Sequence, residues 1–288
     1  RAIVKSAGNE REKRGHAEMR LLPEGTSDFQ WTCHEAPWFK DRLELWWNSA
    51  NEYRIRLRAP AGAVSDWISR ANQEVSGTIE GTRFSATFVR NHVDNGDSRL
   101  TLDLGNRFTE RPAGQVWTLE VEAITVKGDD NVIHAWIERR VKPPQSSFVS
   151  TNASEKLTLS IPGTATSVIT VAAIDAQKPI KLGTFSSHGP TRDGRRKPDV
   201  CAPGVRVAAA KAGTLDAVHE LCGTSMAAPH VAGAIALAFS KRRCAGQSIP
   251  AATQITKLLQ QSTMNYNGTW TEGQGYGVID VDAFLASF

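Results

Sequence analysis

The sequence is poor in the features that would assign it to a specialised class of protein. Its 288 residues include only four cysteines, at a spacing that suits neither a zinc cluster nor a dense disulfide framework. No apolar run is long enough to span a bilayer, since the longest, 226–239, is interrupted by Pro229 and His230. The net charge of +4 is a weak argument for an acidic partner. We therefore expect a globular protein without a metal, cofactor, nucleic-acid or membrane partner.

The size and the cysteine contexts set further bounds. A hydrophobic content of 40% and a charged content of 22% suit one large domain or two of ordinary size. Cys201 and Cys222 lie in surroundings typical of a protein core, so we interpret them as small buried apolar residues. Cys222 precedes the serine stretch described next and is not interpreted as a nucleophile.

One stretch of small and apolar residues, 223–233, stands out from the rest of the chain. A Gly-Thr turn leads to Ser225, and Pro229 is placed where the first turn of a helix tolerates proline. Because almost no charge follows before Lys241, we expect a helix buried on all sides. A serine at such a helix start lies in the field of unpaired N–H groups, which favours an oxyanion. The residues alone also allow a buried, alanine-rich helix with a serine cap.

The first nine residues predict the end of a buried strand that runs into a turn. The β-branched run Ala2-Ile3-Val4 is followed by Gly8-Asn9, and no signal peptide or polar lead-in precedes it. Because a domain rarely begins in the middle of a strand, we expect this chain to be the C-terminal part of a longer polypeptide.

The string 223–233 resembles the nucleophile segment of the subtilisin-like serine proteases. The resemblance implies that Ser225 is the acyl-transfer nucleophile. It also implies that Asn9, which ends an Ala-Gly-Asn strand, donates its side-chain amide to the oxyanion beside the Ser225 backbone N–H. From the residues alone, Asn9 could equally stabilise a turn. The implied substrate-binding residues are Ser6, Ala7, Gly8 and Thr224.

The sequence lacks the two other catalytic contexts of that family. No Gly-Thr-His, Asp-Thr-Gly or Asp-Ser-Gly string occurs, and His16, which follows the turn at Asn9, has no such context. His230 belongs to the serine string and is implied to be structural. In the family, the catalytic Asp and His precede the strand that ends at Asn9. The resemblance thus implies a partner, an upstream N-terminal fragment of the same protease that carries both residues.

The composition changes between residues 21 and 142. Apolar and polar residues alternate in 53–58, 84–88, 100–104 and 117–121, as expected for half-buried antiparallel strands. Turn signals such as 112–114 separate these segments. Seven of the eight tryptophans fall in this region, and they are Trp31, Trp38, Trp46, Trp47, Trp67, Trp117 and Trp136. Short strands at this spacing predict an inserted β-sandwich or jelly roll.

Two features of this region allow a binding function. Arg54, Arg56 and Arg58 could contact nucleic acid, although we favour the solvated face of a strand. Most of the tryptophans are expected in the core, and an exposed row of them would favour glycan or protein binding. The region also resembles the jelly-roll insert of the Csp germination proteases of clostridial spores, through 43–46 with 60–62, 114–117 and 134–137.

The remainder of the chain resembles the subtilase domain again. A return linker at 143–156 precedes a continuously apolar strand at 168–173. The strings 185–190 and 197–204 resemble a second subtilase signature, whose implied role is to lead the chain back to the nucleophile helix. Asp199 could hold a cation, but with Lys197 beside it we predict a buried structural carboxylate. Helices are expected after 248–250 and at the C-terminus.

These features together predict an α/β fold, a subtilisin-like parallel sheet with helices on both faces, and an inserted β-sandwich or jelly roll. The expected domain segments are 1–16 and 151–288 for the subtilase domain and 17–150 for the insert. The expected function is a serine endopeptidase that acts through an acyl-enzyme. Two alternatives stay open, a non-catalytic subtilase-like scaffold and a binding module that uses the tryptophan-rich insert. The sequence does not assign a compartment.

Overall fold

A computed structural model describes residues 2–33, 40–105, 114–139, 145–149, 151–264 and 266–288. Trp38, most of the turn predicted at 112–114 and part of the linker predicted at 143–156 lie outside the described residues. The chain forms two compact units. We call residues 1–12 with 155–288 the α/β unit, and residues 13–154 the β unit.

The described elements are sixteen strands, three α-helices and one short 3-10 helix, Arg11–Lys13. The strands are β1 (Ile3–Ser6), β2 (His16–Arg20), β3 (Thr26–Thr32), β4 (Asp41–Trp47), β5 (Glu52–Arg58), β6 (Glu74–Ile79), β7 (Thr82–Val89), β8 (Ser98–Leu104), β9 (Val116–Thr125), β10 (Val132–Ile137), β11 (Ser147–Phe148), β12 (Val168–Asp175), β13 (Lys181–Leu182), β14 (Val200–Pro203), β15 (Val207–Ala210) and β16 (Val218–Leu221). The helices are α1 (Thr224–Cys244), α2 (Ala252–Gln261) and α3 (Val281–Ala286).

The α/β unit is built on β12, which lies between β1 and β14. Both neighbours are parallel to β12, with Ser6 opposite Val171 on one side and Val200 opposite Val171 on the other. Seven of the eight β12 residues are buried, as expected for a strand covered on both faces. One face of the sheet forms a core with α1, α2 and α3. The predicted parallel sheet is thus confirmed.

Helix α1 differs from the prediction in two respects. It is buried along one side only, where Ala227, Val231 and Ile235 face the core, while Leu237 on the opposite side is 56% exposed. The prediction of a helix buried on all sides is therefore wrong for the described structure. Pro229 also lies inside the helix rather than in its first turn, because α1 begins at Thr224.

A buried ion pair lies in the segment that leads into β14, and its hydrogen bonds connect this segment to the start of β12. Lys197 and Asp199 are 5% and 2% exposed, and Lys197 Nζ lies 2.6 Å from Asp199 Oδ2. Asp199 also accepts hydrogen bonds from Thr170 N–H at 2.7 Å and from Gln260 Nε2 at 2.9 Å, and Lys197 Nζ donates to the carbonyl of Val168. The prediction of a structural carboxylate is confirmed, since each carboxylate oxygen is bonded to protein donors.

The β unit consists of two antiparallel sheets. One has the strand order β2-β10-β4-β8-β7-β6 and the other β11-β3-β9-β5. Side chains of both sheets, such as Leu43 and Leu100 from the first and Ile55 and Leu119 from the second, belong to one hydrophobic core. The alternating segments of the sequence become β5, β7, β8 and β9, so the predicted antiparallel sandwich is confirmed.

The tryptophans and arginines of the β unit are accounted for by packing. Trp31, Trp47 and Trp117 are at most 2% exposed, and Trp46, Trp67 and Trp136 are half-buried. The described tryptophans therefore form no exposed row. The arginines of β5 form ion pairs with glutamates of the neighbouring strand β9, Arg54 with Glu122 and both Arg56 and Arg58 with Glu120. Such cross-strand pairs are typical of the solvated face of a sheet.

Two of the four free cysteines, Cys33 and Cys201, are buried, and the other two, Cys222 and Cys244, are exposed. Cys201 is buried as predicted, and desolvation raises the pKa of its thiol to about 12. Cys222 is exposed, so its assignment to the core is wrong. In the described chain, none of the helices combines the length and the apolar character needed to cross a membrane.

Replacing Lys197 with methionine should destabilise the α/β unit by about 3–5 kcal/mol, because Asp199 would stay buried without its counter-ion. Chemical denaturation of both proteins measures the difference. Lys257→Met, at an exposed position of α2, is the matched control and should change stability by no more than about 0.5 kcal/mol. Equal effects of the two variants would contradict the structural role of the ion pair.

Candidate active site

The side chain of Asn9 joins the loop after β1 to the start of α1. Asn9 Oδ1 accepts hydrogen bonds from the Thr224 backbone N–H at 3.0 Å and from Thr224 Oγ1 at 2.9 Å. The first N–H group of the helix, which has no partner within the helix, is thereby capped. With Oδ1 held in this way, the Nδ2 end of the carboxamide is the end available to donate elsewhere.

Thr224 connects the same two segments a second time. Its hydroxyl oxygen accepts a hydrogen bond from Gly8 N–H at 3.1 Å while its proton is donated to Asn9. Thr224 is only 1% exposed, so these polar contacts are shielded from water. The structure thus brings together Gly8, Asn9 and Thr224, three of the residues that the sequence predicted for the site.

Serines from two other loops fix the loop after β1. Ser160 N–H donates to the Ala7 carbonyl at 2.8 Å, and Ser187 N–H donates to the Gly8 carbonyl at 3.0 Å. Gly8 has φ of +115°, and a Cβ there would lie 2.8 Å from Ser187 Oγ. Only glycine fits both the backbone conformation and this close approach. Ala7 and Gly8 are buried, and Ser6 is half-buried.

Ser160 and Ser187 are positioning residues that the sequence analysis did not identify. Ser187 also accepts a hydrogen bond from Glu10 N–H at 3.0 Å, so it contacts both sides of Asn9. Its signal was present in the string 185–190, which was assigned only a general structural role. Ser160 lies in a loop with no distinctive pattern around it.

Ser225 is exposed at the second residue of α1. Gly223, just before the helix, donates its N–H to the Gly204 carbonyl at 2.8 Å, which ties the helix start to the end of β14. Because Ser225 N–H is among the first four of the helix, it has no carbonyl partner four residues earlier. Asn9 is bonded to the residue just before Ser225, so its carboxamide and the Ser225 N–H are both found at the start of α1.

The three histidines of the α/β unit, His188, His219 and His230, differ in their surroundings. His230 Nδ1–H donates to the Met226 carbonyl at 2.9 Å, within α1. The backbone N–H of His188 donates to Thr158 Oγ1 at 2.9 Å. The pKa of the His188 imidazole is lowered, and burial is the largest cause. His219 lies in the exposed hairpin of β15 and β16. Across the described residues, no hydrogen bond joins Ser225 to an imidazole.

The arrangement places a serine hydroxyl at the N-terminus of a helix that packs on the sheet of the α/β unit. A hydroxyl in this position lies in the positive field of the helix, and the Asn9 carboxamide is bonded to the residue just before it. Both features stabilise the negative charge that develops when a hydroxyl attacks a carbonyl.

Comparison with known proteins gives the family. A model of the subtilase family matches residues 128–277, which is more than half of the chain. The chain is 34% identical over 134 residues to subtilisin DY of Bacillus licheniformis, covering 46% of this chain and 43% of that protein. It is 36% identical over 97 residues to pyrolysin of Pyrococcus furiosus, covering 34% of this chain and 6% of that protein. The chain spans less than half the length of these curated relatives.

A solved structure shares the fold over nearly the whole chain. The structure of the Clostridium perfringens CspB protease superposes with a TM-score of 0.83, covering 99% of this chain and 59% of that chain at 19% sequence identity. The chain belongs to the subtilase family of serine proteases. The predicted resemblance to subtilases with a Csp-type insert is thus confirmed.

Replacing Thr224 with valine should destabilise the α/β unit by about 1–3 kcal/mol, since the near-isosteric side chain leaves the buried Gly8 N–H without an acceptor. Thermal or urea unfolding measures the loss. Thr214→Val, at an exposed threonine of the same unit, should change stability by no more than about 0.5 kcal/mol. A Thr224→Val protein as stable as this control would show that the hydroxyl does not hold the two segments together.

Proposed function

We propose that this chain forms part of a serine endopeptidase that hydrolyses peptide bonds through an acyl-enzyme. Ser225 Oγ attacks the scissile carbonyl carbon and gives up its proton to a general base. The oxyanion is bound by Asn9 Nδ2 and the Ser225 backbone N–H, and collapse of the tetrahedral intermediate expels the amine. Water then attacks the ester and releases the acid.

The observation that carries this proposal is the double hydrogen bond from Thr224 to Asn9 Oδ1. A merely structural asparagine could be held in either orientation of its amide. Here the oxygen accepts from two donors of the residue next to Ser225, so the nitrogen is the end left to donate to an oxyanion.

The general base and its orienting carboxylate come, in this proposal, from a companion segment. Serine is a weak nucleophile without an adjacent base, and no hydrogen bond joins the histidines described for the α/β unit to Ser225. We infer that an upstream N-terminal fragment of the same protease supplies the catalytic Asp and His. We expect that fragment to be the partner of this chain. The substrate of the assembled protease would be a protein or peptide.

Two surfaces of the α/β unit favour such a companion. The outer side of α1 exposes Pro229, Ala232, Gly233, Ala236 and Leu237, all of them without charge. Strand β1 pairs only with β12 among the described strands, and Ile3 on it is 58% exposed. Parallel sheets are normally covered on both faces, so a segment that extends the sheet past β1 and covers α1 would bury both surfaces.

The proposed substrate-binding residues are those that the family resemblance implies. We assign Ser6, Ala7 and Gly8 to one wall of the pocket for the residue before the cleaved bond, with Thr224 on the adjoining side. Ser6 is half-buried, and its hydroxyl accepts a hydrogen bond from Lys5 Nζ at 2.8 Å. The neighbouring Ala7 carbonyl is already bonded to Ser160, so the wall is held rigidly from behind.

Labelling by a fluorophosphonate tests the nucleophile and the companion together. This chain alone should label slowly or not at all. Co-expression with its upstream coding region should give labelling of Ser225, because an imidazole then accepts the serine proton. Peptide mapping by mass spectrometry identifies the labelled residue. Ser225→Ala in the same pair is the control and should abolish labelling.

Absence of labelling in a co-purifying, folded pair would overturn the endopeptidase proposal. It would favour the alternative of a subtilase-like scaffold that binds without cutting. Such a scaffold has no chemical need for Ser225 or for the oriented amide of Asn9.

Replacing Asn9 with alanine in the reconstituted pair should lower kcat by about 10²–10³-fold, the loss caused by removing the corresponding donor in subtilisin. KM should change little, because the donor acts on the oxyanion rather than on the bound substrate. Asn267→Ala, at an exposed asparagine of the α/β unit, is the matched control and should retain full kcat. An unchanged kcat in Asn9→Ala would remove the carboxamide from the mechanism.

A further inference from the structure

We propose that the β unit contains a binding site for a divalent transition-metal ion of the Zn²⁺ type, formed by His16, Glu18 and His134. The ligand atoms that these three residues offer lie within 4.8 Å of one another. Neither imidazole takes part in the proposed peptidase mechanism, so the site is independent of it.

The sheet itself places the three side chains together. Strands β2 and β10 are antiparallel neighbours in which His16 is opposite Trp136 and Glu18 is opposite His134. Residues directly opposite each other project from the same face, so all three ligands share one face. The residues between them, such as Ala17 and Ala135, project from the other face and are fully buried in the core. The backbone of the ligands is therefore anchored by the sandwich.

The distances fit a single ion. His16 Nε2 lies 3.3 Å from His134 Nδ1, and His134 Nδ1 lies 3.6 Å from Glu18 Oε2. Two ligand atoms bound at the usual ~2.0–2.1 Å from a tetrahedral zinc ion are separated by about 3.3–3.4 Å. An ion between these side chains would thus need only small adjustments of χ angles and no movement of the strands.

The first imidazole is held in place by aromatic packing. The His16 ring is stacked on Trp136, with centroids 4.7 Å apart and an interplanar angle of 25°, and His16 is 1% exposed. Glu18 and His134 are half-buried, which leaves a route by which a hydrated ion can reach the ligands. A site with one fixed and two accessible ligands can load after the protein has folded.

The set of donors indicates which ion is bound. Imidazole nitrogens suit zinc, copper, iron and nickel, whereas calcium and magnesium take oxygen ligands. Two imidazoles and one carboxylate are three protein ligands, so a fourth position is open to water or to an external ligand. We therefore assign the site to Zn²⁺ or an ion of similar preference and exclude Mg²⁺ and Ca²⁺ as its occupants.

Sequence spacing could not have revealed this site. The two histidines are 118 residues apart, and metal motifs are recognised from ligands a few residues apart. An ion bound here would link β2, at the edge of its sheet, to β10. Because the unfolded chain does not hold these ligands together, the ion would bind the folded state selectively and stabilise it.

Metal titration of the whole chain tests the proposal. After removal of metal by a chelator, ZnCl2 is added in a calorimeter, and CoCl2 is added while visible absorption is recorded. We expect one equivalent of Zn²⁺ to bind, Co²⁺ to give the absorption of a four- or five-coordinate nitrogen and oxygen site, and MgCl2 to give no signal. Zn²⁺ should also raise Tm.

Two variants and one control identify the ligands. His134→Gln and Glu18→Gln, each checked for folding by circular dichroism, should weaken Zn²⁺ binding by at least about 100-fold, since loss of even an outer-shell partner costs about 10–100-fold. His219→Gln, at an exposed histidine of the α/β unit, should bind as the unsubstituted protein does.

Three results would overturn the site. They are no binding of Zn²⁺, unchanged affinity in both folded variants, and sulfur-to-cobalt charge-transfer bands that assign binding to the exposed Cys222 or Cys244. In the first case His16 and His134 would be a hydrogen-bonded imidazole pair only. The proposed peptidase activity would be unaffected by any of the three.

Discussion

The hydrogen bonds between Asn9 and Thr224 are the contact on which the site depends. They join two segments that are 215 residues apart in sequence. One carboxamide oxygen caps the first N–H of α1 and at the same time determines which end of the amide is free. In the proposed mechanism, loss of this contact would leave the oxyanion with the Ser225 backbone N–H as its one held donor. The proposed chemistry therefore depends on how the loop after β1 meets the start of α1.

The long excursion of the chain between these segments costs the α/β unit little. The chain leaves this unit at residue 12 and returns at residue 155, and Arg11 Nε lies 2.7 Å from Glu155 Oε2. The two ends of the excursion are thus close together within the α/β unit. The β unit has its own core of buried side chains, so it does not need the α/β unit to bury its apolar residues. Loop-closure entropy rises only slowly with length, which explains why so large an insertion is tolerated.

The fold and part of the candidate site could be predicted because short stretches of consecutive residues indicate them. The predictions that were wrong have physical causes. The string 223–233 located Ser225, and the strand run 168–173 located β12, because each pattern is contained in consecutive residues. The burial of α1 and the position of Pro229 were predicted wrongly, since both depend on where the helix begins and on what covers its outer side. Ser187 was missed because a loop serine has no pattern that distinguishes positioning from solvation. The pairing of His16 with His134 required the strand register, which composition does not contain.

The outer side of α1 and the general base of the proposed mechanism lead to one physical requirement. Burying an apolar side chain such as Leu237, which is 56% exposed, stabilises by roughly 25 cal/mol for each Å² removed from water. Small residues on the same side, Ala232, Gly233 and Ala236, let a covering element approach closely. In the proposed mechanism a catalytic imidazole must also lie within about 3 Å of Ser225 Oγ, and Ser225 lies in the first turn of this helix. One covering segment could bury the outer side of α1 and also supply the imidazole, since an element that covered α1 would pass close to the serine. The stability of the α/β unit and its chemistry would then be supplied by the same contact.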